Sequence, residues 1–377
     1  MRKTAMRVLV LWVAAMAVVS VPAAGAEPWA IHLSWQNDPA TTMTIMWRTD
    51  PEVDESVVNY GLTEDLGQRA TGARHSYTYV REEIVWHTVE LTDLIPNTTY
   101  YYRCGAPEYW SEVYSFTTAP APDDSRATFK FALFGDTRGG YATTGEILRQ
   151  LKEEGVRFIL FTGDFTDGGS QYEYNLWFKA AGDVLAQIPF MPVHGNHEGM
   201  KNTYFDQFTL PGNEKWFSFD YAYLHFTCLL SLTEDYAIQQ RAWLIKDLKS
   251  AIQPWKIVVA HHPAYSADKN HGCTQFVLDH WVDVLERHNV DLYVSGHAHN
   301  YERSWPVRDG RIEAGGVIYL VVGAAGAPLI ESGRDWWTAL SESTHHYAIV
   351  SARPSELRFT VRRVDGTVLD EFILRKP

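Results

Sequence analysis

The sequence predicts an α/β domain over residues 128–377, preceded by an all-β sandwich over residues 27–118. Three observations carry this. Residues 27–118 contain short β-branched and aromatic runs separated by turn residues, with almost no helical periodicity. From Thr128 onward, apolar strand-like runs alternate with helical segments, the pattern of strands buried between helices. Between the two lies "TAPAPDDSRA", rich in Pro, Asp and Ser, which predicts a linker at 119–127.

The first 26 residues stand apart. Arg2, Lys3 and Arg7 precede an apolar stretch from Val8 to Val21, and Ala24-Gly25-Ala26 offers a small-residue cleavage site. This is the pattern of a secretory signal peptide and predicts a secreted or periplasmic protein. In the next block, "TTMTIMWRT", "ESVVNYG", "WHTVELTDL", "TTYYYRCG" and "EVYSFTT" have the spacing of a seven-stranded sandwich like fibronectin type III. The α/β block begins with "TFKFALF" and the helix "TTGEILRQLKEEG". It continues through "RFILFTG", "PFMPVHG", a hairpin-like "KWFSFDYAYLHFTCLLS", "KIVVAHHP", "VDLYVSGHAHN" and "GGVIYLVVG". Closing antiparallel strands follow, with Asp365-Gly366 as their tight turn.

The formal charge is −13. Removing the leader takes away three cations and no acid, so it becomes −16. That disfavours a broad nucleic-acid or anionic-membrane surface, but not a small anionic substrate held by metals. No later stretch is long enough to cross a bilayer. Cys104, Cys228 and Cys273 allow at most one internal disulfide, and Cys228 reads as a packed thiol within a strand. Oligomeric state has no signature in the sequence.

Five apolar strands end in a metal-competent side chain: Asp136, Asp164, Asn196, His261, and the pair His297 and His299. A lone Gly-Asp is more often a helix N-cap. Five such ends in one α/β domain are different, because ligand sites gather at strand carboxyl ends. Carboxylate, amide oxygen and imidazole together suit Zn, Mn or Fe and not a thiolate site. Glycines at 135, 163, 195 and 296 precede the ligands and permit sharp turns and close backbone approach.

"GD", "GDFTD", "GNHE", "VVAH" and "GHAHNYERS" resemble the five-block signature of calcineurin-like metallophosphoesterases, and most closely that of purple acid phosphatases with an N-terminal fibronectin-like domain. The resemblance implies a metallophosphoesterase β-sandwich flanked by helices. It implies that two divalent ions (Zn, Mn or Fe) are held by Asp136 and His299 at the first site and by Asn196, His261 and His297 at the second, with Asp164 between them. It implies an acid phosphatase-like phosphomonoesterase acting on small phosphate esters by attack of a metal-bound hydroxide, with His197 or His271 as proton donor. A phosphodiesterase or nucleotide-cleaving enzyme on the same site is the alternative. A non-catalytic binding protein is a further one, disfavoured by retention of the expected ligands.

The sequence departs from the family pattern at two positions. Arg138 stands where the wider superfamily often has a histidine, and Asp167 stands where purple acid phosphatases have a tyrosine ligand. Two readings of Arg138 remain open. It is either a fixed cation facing the substrate phosphate, or one arm of a salt bridge to Asp167 or Asp136. Without the tyrosine, tyrosinate-bound Fe(III) is not expected. Asp167 is read as a loop-organising residue rather than a ligand, and His262 as structural. Tyr301, Glu302 and Arg303 are read as organising the loop after the last ligands.

Overall fold

A computed structural model describes residues 27–376 of the chain; the leader read from residues 1–26 lies outside them. Residues Trp29–Thr117 form nine strands in a four-stranded and a five-stranded sheet. This is two strands more than the expected seven, and one of the nine, Tyr109–Trp110, has only two residues.

The later residues form two larger sheets, one of six strands and one of seven. In the first, Phe129–Phe134, Ile159–Phe161 and Phe190–Pro192 run parallel as neighbours, and His346–Arg353, Glu356–Arg363 and Val368–Arg375 continue it antiparallel. In the second, Leu224–Cys228, Trp255–Val259, Leu292–Ser295 and Ile318–Val322 run parallel.

Side-chain alternation explains the layering. Ile257, Val259, Leu292, Val294, Leu320 and Val322 point into the core between the sheets. Their neighbours Val258, Tyr293 and Tyr319 point the other way, into a second core shared with Ala237, Leu244, Leu248, Trp281 and Leu285 of the covering helices. A period of two thus gives each central strand two apolar faces, which is why these strands read as continuous apolar runs. The helices Tyr141–Glu154 and Gln171–Ala181 pack on each other beside the six-stranded sheet. The first ends at Gly155, whose φ of 69° suits a left-handed cap. The second starts on a Ser170–Glu173 capping box.

The N-terminal sandwich is packed into the same core. The ring centre of Trp35 lies 5.8 Å from Phe158 and 5.7 Å from Tyr221. Leu33 N donates to Leu185 O at 3.0 Å, and Tyr102 Oη donates to Ala186 O at 2.7 Å. Trp35, Trp47, Trp86, Trp177, Trp255 and Trp281 are fully buried, so these tryptophans serve packing and not a carbohydrate surface. All three cysteines are free thiols, and burial pushes Cys104 up to about 12. No helix among the described residues is long and apolar enough to cross a membrane.

One ionic cluster joins the edge hairpin of the seven-stranded sheet to its helix. His225 Nδ1 lies 2.7 Å from Asp220 Oδ1, and Nε2 lies 3.0 Å from Asp247 Oδ2. Burial alone would lower the imidazole, but the two carboxylates outweigh it and raise His225 to about 9. Its stabilising contribution is therefore complete below about pH 6.5 and is lost as pH rises through about 9. Urea unfolding should show wild-type stability falling between pH 7 and 10, with a flatter profile in His225→Gln. At pH 6 that variant should lose about 3 kcal/mol, since it leaves Asp247 buried without its cation. Identical pH profiles would contradict this assignment.

Candidate metal centre

The parallel strands of both sheets end at one shared rim. Asp136, Asp164 and Asn196 follow three neighbouring strands of the first sheet; His261 and His297 follow two neighbouring strands of the second. The chain turns abruptly at these points. Asp136, Asp164 and His297 have φ values of 62°, 57° and 67°, a region non-glycine residues seldom occupy. Such strain persists where the surroundings enforce it and is common at functional sites. The glycines make room. A Cβ on Gly296 would fall 2.1 Å from Asp136 Oδ2, and one on Gly195 would fall 2.2 Å from Asp164 Oδ1.

Two groups of atoms able to ligate a metal result. Asp136, Asp164 and His299, all buried, each place a ligand atom within 4.8 Å of the others. Asn196 Oδ1 lies 2.9 Å from both His261 Nε2 and His297 Nδ1, and these two nitrogens are 3.3 Å apart. Donors about 2.1 Å from a common ion stand roughly this far from one another. His261 Nε2 lies 3.4 Å from Asp164 Oδ1, so the Asp164 carboxylate faces both groups.

The tautomers suit ligation. His261 Nδ1–H donates to Thr162 O and His299 Nδ1–H donates to Pro328 O, each at 2.8 Å. In the neutral ring this leaves Nε2 with its lone pair toward the site. Asp136 Oδ2 is fully buried with no hydrogen-bond partner among the described residues, a costly state for a carboxylate unless a cation answers it. Burial, with Asp164 nearby, pushes Asp136 far above the usual carboxylate range. Burial would also raise Asp164, but the adjacent His261 outweighs it and draws Asp164 down. His261 is in turn raised to about 10 by Asp164 and Asp136, against burial. His299 is lowered to about 4 by burial, with Arg138 adding repulsion. The donor set of oxygen and nitrogen, the orphaned oxygen and the Nε2 atoms turned to the site all fit divalent cations.

Residues 28–118 match the family described as "Purple acid Phosphatase, N-terminal domain", and residues 129–301 match "Calcineurin-like phosphoesterase". Acid phosphatase type 7 of Mus musculus is 26% identical over 93% of this chain and 91% of its own length. Purple acid phosphatase 21 of Arabidopsis thaliana is 30% identical over 79% of this chain and 71% of its own. The chain belongs to the purple acid phosphatase family. It is thus a metallophosphoesterase, a hydrolase whose family works with divalent metal ions. The solved structure of purple acid phosphatase PPD1 from yellow lupin (Lupinus luteus) shares its fold with a TM-score of 0.82 at 22% identity, covering 93% of this chain and 74% of that one.

Around these convergent side chains stand the other residues singled out in the sequence. Arg138, at φ 46°, donates from Nε to Asp167 Oδ1 at 2.8 Å. Of the two readings, the salt bridge is the contact made, and Asp167 is turned to Arg138 and not to a ligand group. The terminal nitrogens of Arg138 have no hydrogen-bond partner among the described residues. His197 Nδ1–H donates to Asp167 O at 2.7 Å, and its Nε2 lies 3.9 Å from Asp164 Oδ2. Asp167 therefore holds both Arg138 and His197, while its own N–H and that of Gly168 donate to Glu173. The His271 ring centre lies 4.3 Å from that of His297 and 6.2 Å from that of His299, over the site.

His262 is tied to Ser231, His194 to the carbonyl of Gly199, and His345 and His346 to the carbonyls of Ala324 and Thr344. None of the four joins the convergent ligand atoms. Arg303 pairs with Asp370, as does the Tyr301 hydroxyl, while Glu302 accepts from Ser266 Oγ and Ala267 N and so anchors the His271 loop.

Two residues escaped the sequence reading. Asp268 caps the backbone of Asn270 and His271, and His271 Nδ1 lies 3.5 Å from its Oδ2. Glu198 is fully buried behind the ligand loops, where burial and Asp164 push it up to about 8. It lies within the quoted "GNHE", next to His197, but glutamate there carries no sign of which groups it meets.

Proposed function

We propose that the chain is an exported, acid phosphatase-like phosphomonoesterase using two divalent ions, Zn, Mn or Fe, on small phosphate esters. Asp136 and His299 would hold one ion, Asn196, His261 and His297 the other, and Asp164 would serve both. The observation that carries this is the Asp164 carboxylate facing two separate groups of ligand atoms. When bound, the ions supply charge that acidifies water and neutralises charge developing on the phosphoryl oxygens. Export rests on the leader at residues 1–26.

The chain's own residues divide the remaining work. Arg138, fixed through Nε, keeps its two terminal nitrogens for phosphate oxygens, an arrangement suited to paired hydrogen bonds. His197, its Nδ1–H fixed on the Asp167 carbonyl, presents Nε2 as the atom that gives a proton to the leaving oxygen. His271, whose ring overlies His297 and His299, is the second candidate for that role. The test is metal content after purification, then hydrolysis of chromogenic mono- and diesters with Zn²⁺, Mn²⁺ or Fe²⁺ added. Two ions per chain and faster monoester turnover are expected; a diester preference would support the alternative substrate class, and no metal uptake would overturn the reading.

The Arg138–Asp167 pair carries its own prediction. With Asp167 at the tyrosine position, a tyrosinate–Fe(III) charge-transfer band has no source, so the protein should be colourless. Arg138→His removes a cation beside His299 and adds a ligand. It should tighten metal binding at the first site by about tenfold. A visible band in wild type, or unchanged first-site affinity in the folded variant, would refute this placement of Arg138.

A further inference from the structure

We propose that Glu198 is a positioning residue that sets the Asp164 and Asn196 loops into ligating shape before any metal arrives. The inference rests on the reading of Asp164 and Asn196 as ligands. Glu198 Oε2 accepts from the backbone N–H of Asp164 and of Gly195, both at 3.0 Å. Its Oε1 accepts from the N–H of Phe165 at 2.9 Å, the N–H of Thr166 at 3.3 Å and Thr166 Oγ1 at 3.4 Å. All five donors belong to the two loops that present Asp164 and Asn196, and Glu198 itself is fully buried.

Sharp turns at strand ends remove these amides from the sheet ladder. An unpaired amide in the interior is costly, so without an acceptor the loops would open. One side chain answers all of them, because its Oε2 faces two of the N–H groups and its Oε1 faces the other two and the Thr166 hydroxyl. A glutamine in its place would turn an NH₂ toward one pair of N–H donors, and an aspartate would fall one methylene short. Glycine at 195 is part of the device: a Cβ there would lie 2.6 Å from Glu198 Oε2. The positive φ of Asp164 is thereby maintained by the protein itself. Residues that orient ligands in this way typically govern metal affinity by 10–100-fold, roughly.

Two measurements test it. In metal-free wild type, the amides of Asp164, Phe165, Thr166 and Gly195 should already be protected from hydrogen exchange. In Glu198→Gln, chelator competition should show Mn²⁺ and Zn²⁺ bound about 10–100-fold more weakly, with an unchanged far-UV circular dichroism spectrum. Wild type that binds neither ion would overturn the metal-centre reading and this inference with it. Wild type that binds, beside a folded Glu198→Gln that binds as tightly, would overturn this inference alone. Should the variant not fold, wild-type exchange decides: amides that exchange freely until metal is added would show that the ion, not Glu198, shapes the loops.

Discussion

Asp164→Ala is expected to lower kcat/KM on a chromogenic monoester by about a thousandfold or more, the equivalent of some 4 kcal/mol. The carboxylate faces both groups of ligand atoms, so its removal weakens both at once. Asn196→Ala should come close to it by weakening the second group alone. Neither change should unfold the protein. Asp164 is drawn down by His261 and raises that imidazole in turn, so deleting it leaves a buried histidine without its charged partner in the metal-free state. Thermal unfolding of chelated samples should therefore show Asp164→Ala folded but less stable than wild type. Normal turnover of a folded Asp164→Ala in metal-replete buffer would remove Asp164 from the centre.

His197→Ala is expected to have the second largest effect, and one that depends on the leaving group. Esters of alkyl alcohols should slow by about 10²–10⁴-fold, the usual worth of a positioned proton donor. Activated aryl esters, whose leaving oxygen departs without a proton, should lose little. The reason is geometric: the Asp167 carbonyl holds Nδ1–H, which leaves only Nε2 to face the site. Equal losses along a leaving-group series would take the role from His197 and pass it to His271, whose ring also overlies the site.

The sequence by itself determined which residues converge. A strand pattern followed by glycine and a ligand-type side chain is local information, and parallel strands carry their ends to one rim, so Asp136, Asp164, Asn196, His261, His297 and His299 were legible. That the central strands are buried on both faces was legible too, since they read as continuous apolar runs. Tertiary structure alone decided contacts between groups distant in the chain or made by backbone. Arg138 reaches an aspartate 29 positions away, and spacing does not say how a side chain turns. Trp35 announces burial by its type but not that Phe158 and Tyr221 would cover it. Glu198 was illegible in a stricter sense. Its partners are backbone amides, which every residue but proline carries, so no pattern of side chains distinguishes the loop that needs an acceptor from one that does not.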